Sequence, residues 1–126
     1  MKLAIVGSRS FNDYSLLEKT MAEKFKVSDI ELVVSGGATG ADLLGEAWAK
    51  TNGIPVKIFY PDWANKGRAA GYARNVEIIK AADEVIVFFD GVSKRSQHSI
   101  DIAEKQGKPC HVVKFTPKRP VALYTE

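Results

Sequence analysis

Short apolar runs alternate along the chain with longer stretches in which apolar residues recur at helical spacing. Residues 3–6 form an apolar run that stops at Gly7 and predict a first strand. Residues 15–25 carry Leu17, Met21 and Phe25 four apart, a helical stripe, and Ser15 with Glu18 match a capping box at its start. A second strand over 31–34 runs into Ser35-Gly36-Gly37, and a helix over 39–51 places Leu44, Ala47 and Trp48 on one face. A third strand is predicted at 56–60, a helix at 68–81, a fourth strand at 84–89 ending in Asp90-Gly91, a helix at 96–106 and a fifth strand at 110–115.

Two helix ends share one signature, Asn52-Gly53-Ile54-Pro55 and Gln106-Gly107-Lys108-Pro109. In each the glycine suits the left-handed C′ position, and the proline two residues later bars the helix from continuing. Strands that alternate with helices of ten or so residues imply right-handed crossovers and a parallel sheet. The strands are nearly unbroken apolar runs, as strands covered on both faces should be. The expectation is an α/β, Rossmann-like three-layer αβα sandwich around a five-stranded parallel sheet in the order 3-2-1-4-5. Residues 1–115 would form a single domain and 116–126, with two prolines, a C-terminal extension. The long connector over 61–67 would carry the chain from strand three to strand four.

The 126 residues are 45% hydrophobic and 26% charged, the balance of an ordinary globule with one proper core. Cys110 is the single cysteine, which excludes an intrachain disulfide and cysteine-rich zinc sites, and its apolar neighbours suggest a buried core residue. His98 and His111 stand without further ligands at metal spacing, so neither a metal nor a cofactor is expected. The N-terminal apolar run is too short for a signal peptide, and no run nears the ~20 residues that cross a membrane. A cytoplasmic protein is the expectation. The net charge of +3 permits an anionic ligand without demanding nucleic acid. Its distribution says more: Lys66, Arg68 and Arg74 lie between Trp63 and Asn75 with no acid among them, and Lys94-Arg95 form a second basic point. Lys114, Lys118 and Arg119 read as solubilising.

Ligands of open α/β sheets bind beyond the carboxyl ends of the strands, where the strand order reverses. Here that lies between strands one and four, and loops 7–12, 35–42 and 90–96 reach it. In Ser35-Gly36-Gly37-Ala38-Thr39-Gly40-Ala41-Asp42 the glycines permit close backbone approach, and amides at the start of the following helix favour a phosphate. Asp42 fits three roles: partner of Thr39 in a capping box, acceptor of a ribose hydroxyl, or acid/base catalyst. Glu46 shares its face and is expected to be solvated. After strand one, Gly7 is followed by Ser8, a phosphate donor, and Arg9, able to form a bidentate pair with phosphate or to pair with Asp13. Arg68, Arg74 and Asn75 stand among small residues that allow close approach, either as ligand contacts or as a solvated basic face. Trp63 is either a lid on the core or a stacking platform. Asp90, Gly91, Ser93 and Ser96 complete the candidate set, with Ser93 and Ser96 as phosphate contacts or N-caps.

These segments in series resemble the YspA-like branch of the SLOG (Smf/DprA–LOG) superfamily. The matching pieces are Gly7-Ser8-Arg9-Ser10-Phe11, Ser35-Gly36-Gly37-Ala38 with Gly40-Ala41-Asp42, Trp48-Ala49, Tyr60-Pro61-Asp62-Trp63, Gly67-Arg68-Ala69-Ala70-Gly71, Arg74-Asn75, Ala82-Asp83 and Asp90-Gly91 with Ser93. The resemblance implies a Rossmann-like fold and a nucleotide-related ligand. Some relatives are sensor modules in nucleotide signalling, LOG enzymes cleave the N-glycosidic bond of nucleoside monophosphates, and DprA-type relatives bind single-stranded DNA. Two departures stand out. Arg95-Ser96 replaces the Gly-Thr or Gly-Ser that opens the last helix in many relatives, so Arg95 either blocks backbone approach to a phosphate or supplies a side-chain contact. The same match puts Ser99 where LOG enzymes carry a catalytic glutamate, which counts against hydrolysis by that residue. The expected function is binding of a nucleotide or an NAD- or ADP-ribose-like phosphate ligand, as a sensor or processing module. The alternatives are a nucleotide N-glycosidase using Asp42, and single-stranded nucleic-acid binding with Trp63 or Tyr72 as stacking platforms. Self-association into a homo-oligomer is the further expectation.

Overall fold

The computed structural model describes residues 1–117. Its strands are β1 (Lys2–Gly7), β2 (Leu32–Ser35), β3 (Val56–Ile58), β4 (Glu84–Phe89) and β5 (Cys110–Lys114), and its helices are α1 (Tyr14–Lys24), α2 (Ala41–Thr51), α3 (Trp63–Lys66), α4 (Ala70–Ala81) and α5 (Lys94–Lys105). All strand pairs are parallel, as the alternation of apolar runs and helical stripes implies, and the order is the expected β3-β2-β1-β4-β5. Most of the expected extension, residues 118–126 with Lys118 and Arg119, falls outside the described residues.

The period of two along β1 sorts its side chains between two cores. Leu3 and Ile5 point to the layer of α1 and α2, where they meet Leu17, Met21 and Trp48. Ala4 and Val6 point to the layer of α4 and α5, against Ile78, Ile79 and Ile102. β4 divides in the same way, with Ile86 and Phe88 on the first side and Val85, Val87 and Phe89 on the second. The central strands are therefore buried on both faces, and their carboxyl ends are left as the place where polar loops can meet.

Several local expectations need correction. α1 starts at Tyr14, and its cap is Asp13, whose carboxylate accepts from the Leu16 amide at 3.1 Å. An ionised acceptor at the positive end of a helix outcompetes the Ser15 hydroxyl. β3 leaves the ladder after Ile58 rather than Tyr60. The connector after it is partly helical. Asp62 caps the single turn of α3 by accepting from the Asn65 amide at 3.2 Å, and Gly67, at φ +53°, breaks that turn from the 3-10 segment Gly67–Ala69 and from α4. Cys110 is half-buried at the margin of the second core, and burial pushes its thiol upward in pKa.

Candidate functional site

The crossover from β3 to β4 leaves a crevice of about 450 Å³ between the carboxyl ends of β1 and β4. Gly7 faces Phe88 across the ladder, and the Ser8 amide extends it by donating to the Phe88 carbonyl at 2.9 Å. The Ser8 hydroxyl then ties three segments together. It accepts from the Asp90 amide at 3.1 Å and lies 3.1 Å from the Ser96 hydroxyl, in the first turn of α5. Asp90 shapes the next loop: its carboxylate accepts from the Val92 and Ser93 amides at 2.9 and 2.8 Å and from the Ser10 hydroxyl at 3.3 Å. Burial opposes the Asp90 charge, but these bonds overcome it and hold its pKa below the usual carboxylate value. Ser93 caps α5, accepting from the Ser96 amide at 3.4 Å.

The glycine-rich loop after β2 departs from expectation. Amides at the start of the helix after it were expected to favour a phosphate; upstream of that start, three amides of the loop are taken by the protein's own side chains. Asp42 Oδ2 accepts from Gly36 at 3.1 Å and Ala38 at 3.4 Å, and Ser35 Oγ accepts from Gly37 at 3.4 Å. The capping box from Thr39 to Asp42 does not form either; α2 opens at Ala41 behind Gly40, with no side-chain cap. Gly40 sits at φ +88°, and a Cβ there would stand 2.5 Å from the carbonyl oxygens of Ser8 and Arg9. Gly36 is small for a different reason: a Cβ would meet Arg74 Nη1 at 2.5 Å and Asp42 Oδ2 at 2.7 Å. These glycines accommodate the protein's own packing.

Below the loop lies a buried polar cluster. Arg74 Nη1 donates to the Gly36 carbonyl at 2.6 Å and Nε to Asn75 Oδ1 at 3.3 Å. Burial raises the Asp42 pKa to about 6, against the opposing pull of Arg74 and the two amides. Asp42 lines the crevice, and its Oδ1 makes no hydrogen bond among the described residues. Glu46 is buried rather than solvated, because α2 turns it inward to accept from the Ser35 hydroxyl at 2.6 Å.

The charges around the crevice are uneven. Lys94 and Arg95 occupy the first two positions of α5, and no acid lies in that turn. The amides at a helix N-terminus carry partial positive charge, so two cations there are opposed by the dipole. Arg9 adds a third cation from the β1 loop. The Arg95 guanidinium swings toward α4, 5.5 Å from the Trp63 ring and 5.9 Å from the Tyr72 ring, and rests against Gly71, where a Cβ would meet it at 2.8 Å. It therefore does not wall off the start of α5. His98 packs edge-on against Tyr72, and burial lowers its pKa. A second groove of about 310 Å³ adjoins the crevice and shares Arg9, Arg74 and Arg95 with it; its outer wall is Tyr60, Pro61 and Trp63.

Of the residues singled out from sequence, Gly7, Arg9, Ala38, Asp42, Arg74, Asn75, Asp90, Ser93 and Ser96 border the crevice, and Gly36, Gly37 and Thr39 border the second groove. Ser8 and Ser35 are buried beneath, their hydroxyls engaged by the fold, and Gly40 is buried against the β1 loop. Arg68 and Gly91 are exposed and border neither cavity. Lys94, which borders the crevice, and Tyr60, which borders only the second groove, lie outside the set named from sequence, and Arg95 was left open. The signals for them were the two cations at the predicted start of a helix and an aromatic pair at the end of a parallel strand. Among the described residues no cluster of His, Cys, Asp or Glu could hold a metal, and no helix is long and apolar enough to cross a membrane.

Comparison with known proteins agrees with this geometry. Residues 1–65 match the family described as YspA, cpYpsA-related SLOG. The Gene 61 protein of Mycobacterium phage D29 is 33% identical over 124 residues, which cover 93% of this chain and 98% of that protein. The fold is similar to that of DNA processing protein A (DprA) from Streptococcus pneumoniae, with TM-score 0.73 and 22% identity over 96% of this chain. The chain spans 52% of the length of that protein. DprA from Helicobacter pylori, whose structure was solved for its single-stranded DNA binding mode, is similar with TM-score 0.67 and 26% identity over 96% of this chain and 67% of that one.

Proposed function

Because the chain belongs to the YspA, cpYpsA-related SLOG family, we propose that it binds the phosphate of a nucleotide in the crevice between β1 and β4, against the first turn of α5. The observation that carries this reading is the pair of cations, Lys94 and Arg95, set at the positive end of a helix with no acid in the turn. That placement disfavours the empty helix by up to about 1 kcal/mol, and a bound anion relieves it. Arg9 and the unshared guanidinium edge of Arg74 add donors from two further elements, and Asp42 Oδ1 is an acceptor for a sugar hydroxyl. Calorimetry with nucleoside mono- and diphosphates tests it. Arg9→Ala and Lys94→Ala should each weaken the best ligand roughly tenfold, the worth of one charged hydrogen bond. Equal affinity in wild type and both variants would overturn the reading.

A second reading, single-stranded nucleic acid, draws support from the fold shared with Helicobacter pylori DprA and from Trp63 and Tyr72, which are 50% and 39% exposed beside Arg95. It requires binding that falls steeply with added salt.

A further inference from the structure

The outer wall of the groove beyond the arginines, Tyr60, Pro61 and Trp63, takes no part in that phosphate site, yet its composition is specific. Tyr60 is 72% exposed and Trp63 50% exposed, and both line the same cleft. The Tyr60 ring lies along Gly37, whose Cβ, if present, would stand 3.2 Å from Tyr60 Cε1, so one edge is held by backbone while the ring remains open to solvent. Three arginines reach the cleft and no carboxylate lines it. Aromatic platforms beside guanidinium groups suit planar bases that carry phosphate. The exposed Thr39 also lines the groove.

We infer that this groove is a second nucleoside subsite, so that the ligand is a dinucleotide: one nucleoside in the crevice, the other on the Tyr60–Trp63 shelf, and the linking phosphates at the arginines between them. The inference rests on the phosphate-binding reading above. The layout supports it because Arg9, Arg74 and Arg95 line both cavities, which puts the shared positive charge at their junction rather than at either end. Each cavity lies at the small end of the range for small-molecule sites, roughly 300–1,000 Å³. A mononucleotide would fill one and leave the other to water.

The test is calorimetry on the full chain with each common nucleoside 5′-monophosphate, the matching symmetrical dinucleoside 5′,5′-pyrophosphate, and single-stranded oligonucleotides of increasing length. At least one dinucleoside pyrophosphate should bind about five- to a hundredfold more tightly than its own monophosphate, the range for one stacked base. Tyr60→Ala should abolish that gain and leave monophosphate affinity within about twofold, while Tyr60→Phe, which keeps the ring, should retain it. Tyr60 is the better probe because Trp63 also supports Arg95. A monophosphate that binds as tightly as its dinucleotide, or a gain that survives Tyr60→Ala, overturns the dinucleotide and leaves the phosphate site standing. Affinity that keeps climbing with strand length overturns it in favour of a strand. No binding by any monophosphate or dinucleotide removes both.

Discussion

At Asp42 a single carboxyl couples the crevice to the stability of the fold. Burial disfavours its charge more strongly than Arg74 and the Gly36 and Ala38 amides favour it, so the group holds its proton until about pH 6 rather than the ordinary 3.8. In the unfolded chain the same group ionises near the ordinary value. Between those two points the native state binds the extra proton, and stability falls as pH rises. The stabilisation is fully present below the unfolded pKa, and roughly 2–3 kcal/mol of it is gone at neutrality. Asp42→Asn cannot ionise but keeps an oxygen for the two amides. Denaturant titrations should therefore show the wild type losing about 2–3 kcal/mol relative to this variant between about pH 4 and pH 7. A pH-independent difference would mean that the carboxyl titrates normally. From sequence, the three roles weighed for Asp42 were all roles toward a helix end or a ligand. Its actual partners are loop amides upstream, a choice made by the path of the chain at Gly40 and invisible in local spacing.

Among the elements, α2 against β1 shows how closely the layers are fitted. Gly45 lies inside α2, where alanine would ordinarily favour the helix by about 1 kcal/mol. Here a Cβ would meet Ile5 Cγ2 at 2.5 Å and Ile5 Cβ at 2.9 Å, and Ile5 is fully buried in the central strand. Overpacking outweighs propensity, so Gly45→Ala should lower unfolding stability by about 1–2 kcal/mol. An unchanged or raised midpoint would show that α2 can shift outward. The periodicity of the chain made the strands and long helices legible because burial on both faces and on one stripe leaves distinct patterns. The start of α1 and the break at Gly67 were not legible. Asp13 and Ser15 compete for the same cap, and the turn of α3 is too short to show a period.

For the molecule as a whole, alternation implied the parallel sheet and the usual order of doubly wound sheets supplied 3-2-1-4-5, and with it the location of the crevice. What sequence could not show was which backbone groups remain open after the polar side chains have chosen partners, and the proposed phosphate site is therefore set at α5 rather than at the glycine loop. The resting place of Arg95 has an optical consequence. There are two tryptophans; Trp48 is buried in the first core, whereas Trp63 faces solvent with a guanidinium over its ring. An anion that draws Arg95 from the indole alters the surroundings of one fluorophore and spares the other. Nucleotide titration should thus change the long-wavelength part of the tryptophan emission while the blue component stays constant, and Arg95→Ala should silence that change. If the blue component moves instead, the perturbation lies in the core. The chain carries its own dye on the wall of the second groove and an internal reference in the core.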